Sequence, residues 1–181
     1  KEAEELRRLI EESKRTDKKV HEDLKEEVRK IEEEDDKAHE ELRKEVERIK
    51  KKIDDDMSDE DTARRLRKEV EDLLRRLKKL NEETKRELER LDEKLRKVNE
   101  KTKEDNERLA RELEEIIKKP TGSELIKRLK DEVKKLHDET ERINRELKKE
   151  LDDLLRRVRK INKELKEELK KLERKIEEAA R

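Results

Sequence analysis

The sequence predicts an all-α fold: an up-down-up antiparallel bundle of three long, nearly straight helices. Three observations predict it. Apolar residues recur at spacings of three and four along almost the whole chain, as one face of a helix requires. Between them stand Glu, Lys and Arg, which with Leu are strong helix formers. The pattern is interrupted twice, and the second interruption holds the only Pro and the only Gly among 181 residues.

The first helix, about residues 2–55, carries Leu6, Leu9, Ile10, Val20, Leu24, Val28, Ile31, Ala38, Leu42, Val46, Ile49 and Ile53 on its stripe. The stripe stops at Asp54-Asp55-Asp56-Met57-Ser58-Asp59-Glu60-Asp61, where Met57 is the one apolar residue. Ser58, with Asp61 three residues later, reads as an N-cap followed by acidic residues that suit the helix dipole. The second helix, about 59–118, carries Leu66, Val70, Leu73, Leu77, Leu80, Leu88, Leu91, Leu95, Val98, Leu109, Leu113 and Ile116. Pro120 cannot continue it, and Thr121 or Ser123 can cap the third, about 123–179. That helix carries Leu125, Leu129, Val133, Leu136, Ile143, Leu147, Leu151, Leu154, Val158, Ile161, Leu165, Leu169, Leu172 and Ile176. One narrow stripe per helix is enough to close a small bundle, and short turns make sequential helices antiparallel neighbours. Residues 1–181 are therefore expected to form one domain, with helices roughly 85 Å long at 1.5 Å per residue.

Composition narrows the function. Lys and Arg number 57, Asp and Glu number 57, and the net charge is zero, which opposes a nucleic-acid role that needs a basic excess. Phe, Trp and Tyr are absent, so nothing can stack on a base. Without cysteine there is no disulfide and no thiolate metal site. No apolar run approaches the ~18 residues of a membrane span, and no signal-peptide pattern opens the chain. The sequence assigns no localisation and is consistent with soluble cytoplasmic expression; the expectation is no cofactor, no metal, no nucleic-acid or membrane partner, and no enzymatic activity.

The helices repeat internally. DKKVHEDLKEEVRKI at 17–31 aligns with DDKAHEELRKEVERI at 35–49, a shift of 18. LKKLNEETK from Leu77 aligns with LRKVNEKTK from Leu95, and INRELKKEL from Ile143 with INKELKEEL from Ile161, at the same shift. Eighteen residues are about five turns at ~3.6 per turn, so the repeat keeps its face without supercoiling.

Polar residues stand where leucine would be expected. Asp17 and Asp35 read as the centre of the first stripe, with His21 and His39 at its edge. In an antiparallel pair, residues at equal height have position numbers of constant sum. Matching the polar positions gives sums of 119.5 for the first hairpin and 244.5 for the second, which centre the turns at 59.75 and 122.25, on the turn signals. Three layers follow: Asp17, His21, Asn99, Thr102 and Asn144; Asp35, His39, Asn81, Thr84 and Asn162; and Ser13, Thr16, Asn106, Thr140 and His137. Hydrogen bonds to Asp17 and Asp35 are expected to hold them ionised, giving a stability that is flat from about pH 6 to 9 and falls below about 4.5.

Idealised caps, a repeat carried through all three helices, Glu/Lys/Arg surfaces and matched Asp/His/Asn/Thr layers resemble de novo designed helical bundles with buried hydrogen-bond networks, of the parametric, straight-helix type. The resemblance implies a structural scaffold whose polar layers specify helix register and pairing. An interaction module, one component of a designed hetero-oligomer or helix-exchange switch, is the alternative; a protein partner or self-association belongs to that reading. Asp–His–Thr sets have the residue types of a hydrolase triad, but ladder-bonded helices offer no free backbone donors for an oxyanion. Charge is uneven along the chain: Lys/Arg against Asp/Glu is 17 to 22 over residues 1–57, 20 to 19 over 58–119, and 20 to 16 over 120–181.

Overall fold

Helix α1 (Glu2–Asp55) opens with Glu2, Glu4 and Glu5 in its first turn and carries Lys52 in its last, the polarity that the helix dipole favours. Helices α2 (Glu60–Ile117) and α3 (Ser123–Ala179) complete the secondary structure, and there is no strand among the described residues. These are residues 2–55, 59–119 and 123–179 of a computed structural model. Met57, Ser58, Pro120 and Thr121 lie outside them, as does the side chain of Ser123, so the caps expected at Ser58, Thr121 and Ser123 fall outside too. The cap that is described at the start of α2 is Asp59. Its carbonyl accepts the first helical bond from Ala63 N at 3.1 Å, and its Oδ1 accepts from Asp61 N at 3.3 Å.

The helices build two compact units. One comprises Lys1–Val28 with Arg90–Leu151. Its core joins Leu6 and Ile10 of α1 to Leu109, Leu113 and Ile116 of α2 and to Leu129 and Leu136 of α3. The other comprises Arg29–Glu89 with Asp152–Arg181. There Val46 and Ile49 of α1 meet Val70 and Leu73 of α2 and Leu165, Leu169 and Ile176 of α3. Most stripe residues are buried, as a helix with charge on its other faces requires, while others, among them Leu9, Val20, Ile31, Leu80, Val98 and Ile143, lie half-buried at the stripe margins.

Cross-helix contacts fix the directions inside each unit. In the first, Lys94 meets Glu27 and Lys119 meets Glu2, and both pairs of position numbers sum to 121. In the second, Arg76 meets Glu45, summing to 121, and Thr84 meets Asp35, summing to 119. A constant sum means that α1 and α2 are antiparallel. Asn144 with Asn99 and Asn162 with Asn81 both sum to 243, so α2 and α3 are antiparallel as well. His21 with Asn144 and His39 with Asn162 share a constant difference of 123, which makes α1 and α3 parallel. Within each unit the helices thus run up, down and up.

Ile49 and Leu169 are almost fully enclosed. Replacing either with Ala should lower unfolding free energy by about 2–5 kcal/mol through lost burial and an unfilled cavity. Asp59→Ala should cost only about 0.5–2 kcal/mol, the worth of an N-cap. Urea denaturation of the three variants measures both, and an Ile49→Ala variant no weaker than Asp59→Ala would contradict this packing.

Candidate functional site

The second unit holds the most completely bonded polar cluster. Asp35 and His39 lie one turn apart on α1 and are 3% and 2% exposed. His39 Nδ1 lies 2.8 Å from the Asp35 backbone carbonyl and 2.9 Å from its carboxylate Oδ2. Thr84 of α2 donates its hydroxyl to Asp35 Oδ1 at 3.0 Å. On the far side of the ring, His39 Nε2 is 2.6 Å from Asn162 Oδ1 of α3. Asn162 Nδ2 then donates to Asn81 Oδ1 of α2 at 2.7 Å. One chain of bonds therefore crosses all three helices.

Both ring nitrogens of His39 face acceptors, an arrangement satisfied when both carry a proton. Burial alone would disfavour the charged ring, but the bonds to Asp35 and Asn162 outweigh it and place the His39 pKa above its ordinary 6.5.

The first unit repeats the pattern with different bonding. His21 Nε2 lies 2.8 Å from Asn144 Oδ1, and Asn144 Nδ2 donates to Asn99 Oδ1 at 2.8 Å. His21 Nδ1, however, is buried without a partner. Thr102 turns its hydroxyl to the Val98 carbonyl of its own helix at 2.7 Å, so it does not do for Asp17 what Thr84 does for Asp35. Asp17 is half-buried, and Thr140 Oγ1 stands 3.5 Å from its Oδ2 while bonding the Leu136 carbonyl at 2.6 Å. Burial therefore leads and raises the Asp17 pKa above the ordinary 3.8, with Asp105 adding to it and His21, Thr140 and Lys101 opposing.

Several expectations are corrected here. His21 and His39 lie in the interior, not at a stripe edge, while Asn81 and Asn99 are exposed ends of their chains. Bonding does not lower the Asp17 pKa as expected; burial of a weakly held carboxylate acts the other way and raises it. In the third layer Asn106 Nδ2 meets His137 Nδ1 at 3.2 Å, and His137 Nε2 is 3.3 Å from Glu141 on the half-exposed side. Thr140 faces Asp17 rather than Asn106, Thr16 is exposed and Ser13 half-buried, so Ser13 and Thr16 do not join Asn106 and His137 in a buried cluster.

The geometry does not assemble a nucleophile and base. Thr84 donates its hydroxyl hydrogen bond to Asp35, His39 Nε2 is held by Asn162, and Thr102 points at a backbone carbonyl. Among the described residues no three His, Asp or Glu side chains converge on a metal position, and no helix is long and apolar enough to cross a membrane. The layers expected from sequence pair 21 with 144 and 39 with 162, both differing by 123 as observed; the contact missed is Thr140 with Asp17 at the same offset.

The geometry defines an all-α three-helix protein with buried polar layers. No family model matches the chain, and no curated protein matches it. Among solved structures it is similar to a computationally designed three-helix bundle, at 22% identity over 99% of this chain and 84% of that chain, with a TM-score of 0.39.

The pH response follows from the two shifted groups. His39, raised, contributes stability that is fully present below 6.5 and lost as pH climbs through its folded value. Asp17, also raised, contributes in the same direction, its favoured protonated form being complete below 3.8 and lost as pH rises through its own folded value. Glu2 is lowered by the bond to Lys119 and acts in reverse, but it is fully exposed and its effect is screened. The denaturation midpoint should therefore be higher near pH 6 than near pH 9, replacing the flat profile expected from sequence. His39→Gln should flatten the difference; a wild-type midpoint that rises toward pH 9 would show the opposite sign.

Proposed function

We propose that this protein is a designed structural scaffold without a natural biochemical activity, in which the polar layers specify helix register and pairing. The observation that carries this is the unbroken chain from Thr84 through Asp35, His39 and Asn162 to Asn81, which links three helices at one height. Apolar stripes tolerate sliding because their attraction has no direction. A buried donor or acceptor left without its partner costs about 1–3 kcal/mol, so a slipped alignment is disfavoured once for each orphaned group. Sliding α3 by the full 18-residue repeat would bring Asn162 to His21, yet it would carry Asn144 beyond any histidine of α1 and leave His39 without an asparagine. We further infer that residues 1–181 unfold as one domain, since α1 passes from one unit to the other at Val28–Arg29 without a break.

Partial and complete replacement of the second layer distinguish register specification from mere burial. Asn162→Leu should cost about 1–3 kcal/mol, because it leaves His39 Nε2 buried without its acceptor while Thr84 still holds Asp35. Replacing Asp35, His39, Asn81, Thr84 and Asn162 together with apolar residues should be near neutral or stabilising. The complete replacement should show its defect elsewhere, as broadened amide spectra or new oligomers detected by native mass measurement. Equal destabilisation by the two replacements would remove the register role.

A further inference from the structure

The second unit carries a groove between α2 and α3 that differs from the rest of the surface. It has a volume of about 700 Å³, against about 360 Å³ for the groove between the same helices in the first unit. Its floor includes the buried Leu77 and half-buried Leu74, with Asn81 and Asn162 where the polar layer reaches the surface. Six cations line it: Arg75 and Lys78 from α2, and Arg159, Lys163, Lys166 and Lys170 from α3. Glu82 is the sole acid lining it.

The other seams of this unit pair their charges. Arg76 reaches Glu45 and Arg48 reaches Glu69 between α1 and α2, while Arg157 grips Glu32 and Asp36 between α1 and α3. In the groove, Arg75 has Asp72 on its own helix at 3.6 Å. Lys78, Arg159, Lys163, Lys166 and Lys170 make no ion pair or hydrogen bond to any described residue. Cations of two helices thus face one another across an apolar floor.

The geometry points to an acidic amphipathic helix of a partner protein as the occupant of this groove. A helix with leucines on one face and glutamates on both flanks meets each feature. Its apolar face covers Leu74, Leu77 and the lysine and arginine stems, which themselves present methylenes. Its two acidic flanks reach the cations of α2 on one side and of α3 on the other, and its polar side chains can meet the Asn81 amide. The lining runs from Leu74 to Glu82 on α2 and from Arg159 to Lys170 on α3. At about 1.5 Å per residue this is roughly 12–17 Å, the length of two to three helical turns. A simple polyanion would use the cations but not the apolar floor, and a second copy of this chain would bring a net charge of zero. This inference is independent of the register role of the layers, so either can fail without the other.

The test is binding of a labelled synthetic peptide of about 15 residues, near the length at which an isolated helix is marginal, with leucines at helical spacing and flanking glutamates. Fluorescence anisotropy should show saturable binding to the full chain, with a gain of peptide helicity by circular dichroism. The triple variant K163E/K166E/K170E changes only exposed side chains and should bind at least tenfold more weakly while keeping the helical spectrum of the parent. Should it lose that spectrum, Lys163→Gln with Lys166→Gln gives the same readout with smaller perturbation and should weaken binding in the same direction. A peptide with the leucines changed to serine should also lose at least tenfold. Absence of saturable binding, equal binding by the charge-reversed variant, equal binding of the serine peptide, or displacement by inorganic polyphosphate at equal charge with no need for leucine would each overturn the proposal. So would a concentration-dependent dimer mass that excludes the peptide.

Discussion

Burial of a His–Asp pair in a core of leucine, isoleucine and valine is the constraint on which the rest of this structure depends. His39 and Asp35 are enclosed, so each polar atom must find a partner at hydrogen-bond distance or remain a standing cost. Partners come from both other helices: Thr84 from α2 and Asn162 from α3. Meeting those distances sets the heights of three helices at once. Exposed ion pairs such as Lys94–Glu27 or Arg76–Glu45 are each worth about 0–1 kcal/mol and are screened, so they follow the register rather than set it.

Nearly identical sequence repeats reach different bonded states, and they differ at one hydroxyl as well as at Thr140 beside Asp17, whose counterpart in the repeat is Val158. A threonine on a helix can donate outward or back to the carbonyl four residues earlier. Thr84 donates outward to Asp35, while Thr102 bonds Val98 on its own helix. With Thr84 engaged, Asp35 is buried and offers an oxygen to His39 Nδ1. With Thr102 turned away, Asp17 stays half-buried and His21 Nδ1 has no partner. The first layer retains a buried unpaired nitrogen, at a cost of about 1–3 kcal/mol, that the second avoids. The two layers therefore differ in worth although their letters almost coincide.

Fold and register were legible because they depend on periodicity. A stripe at spacings of three and four, a repeat of 18 and two interruptions determine three helices, and equal-height sums near 119.5 and 244.5 lie within about two residues of the observed 119–121 and 243. Side-chain depth was less legible because the stripe was traced through apolar letters alone. His39 precedes Leu42 by three and Val46 by seven, and Asn162 precedes Leu165 and Leu169 by three and seven, the spacing of interior positions. Asn81 is the reverse case: Leu77 and Thr84 occupy the interior around it, and the amide is left at the rim. The hydroxyl choices of Thr84 and Thr102 have no sequence signal, since both residues occupy the same place in the repeat.

The charge asymmetry of the chain has a geometric consequence in a three-helix arrangement. Three helices make three seams, and a helix rich in one sign can complement only the two seams it borders. Residues 1–57 hold 22 acids against 17 bases, and acids of α1 indeed face outward to both neighbours, with Glu2 at Lys119, Glu27 at Lys94, Glu45 at Arg76, and Glu32 and Asp36 at Arg157. The seam between α2 and α3 borders no part of that acidic helix. In the first unit Asp92 of α2 supplies the missing sign to Lys148 of α3. Along the groove of the second unit Glu82 is the only acid among six cations, so like charges are held together by the apolar contacts beneath them. Charges in such a position add little to folding, but they decide which surfaces can approach and how fast, because complementary fields guide encounter and like fields exclude wrong partners.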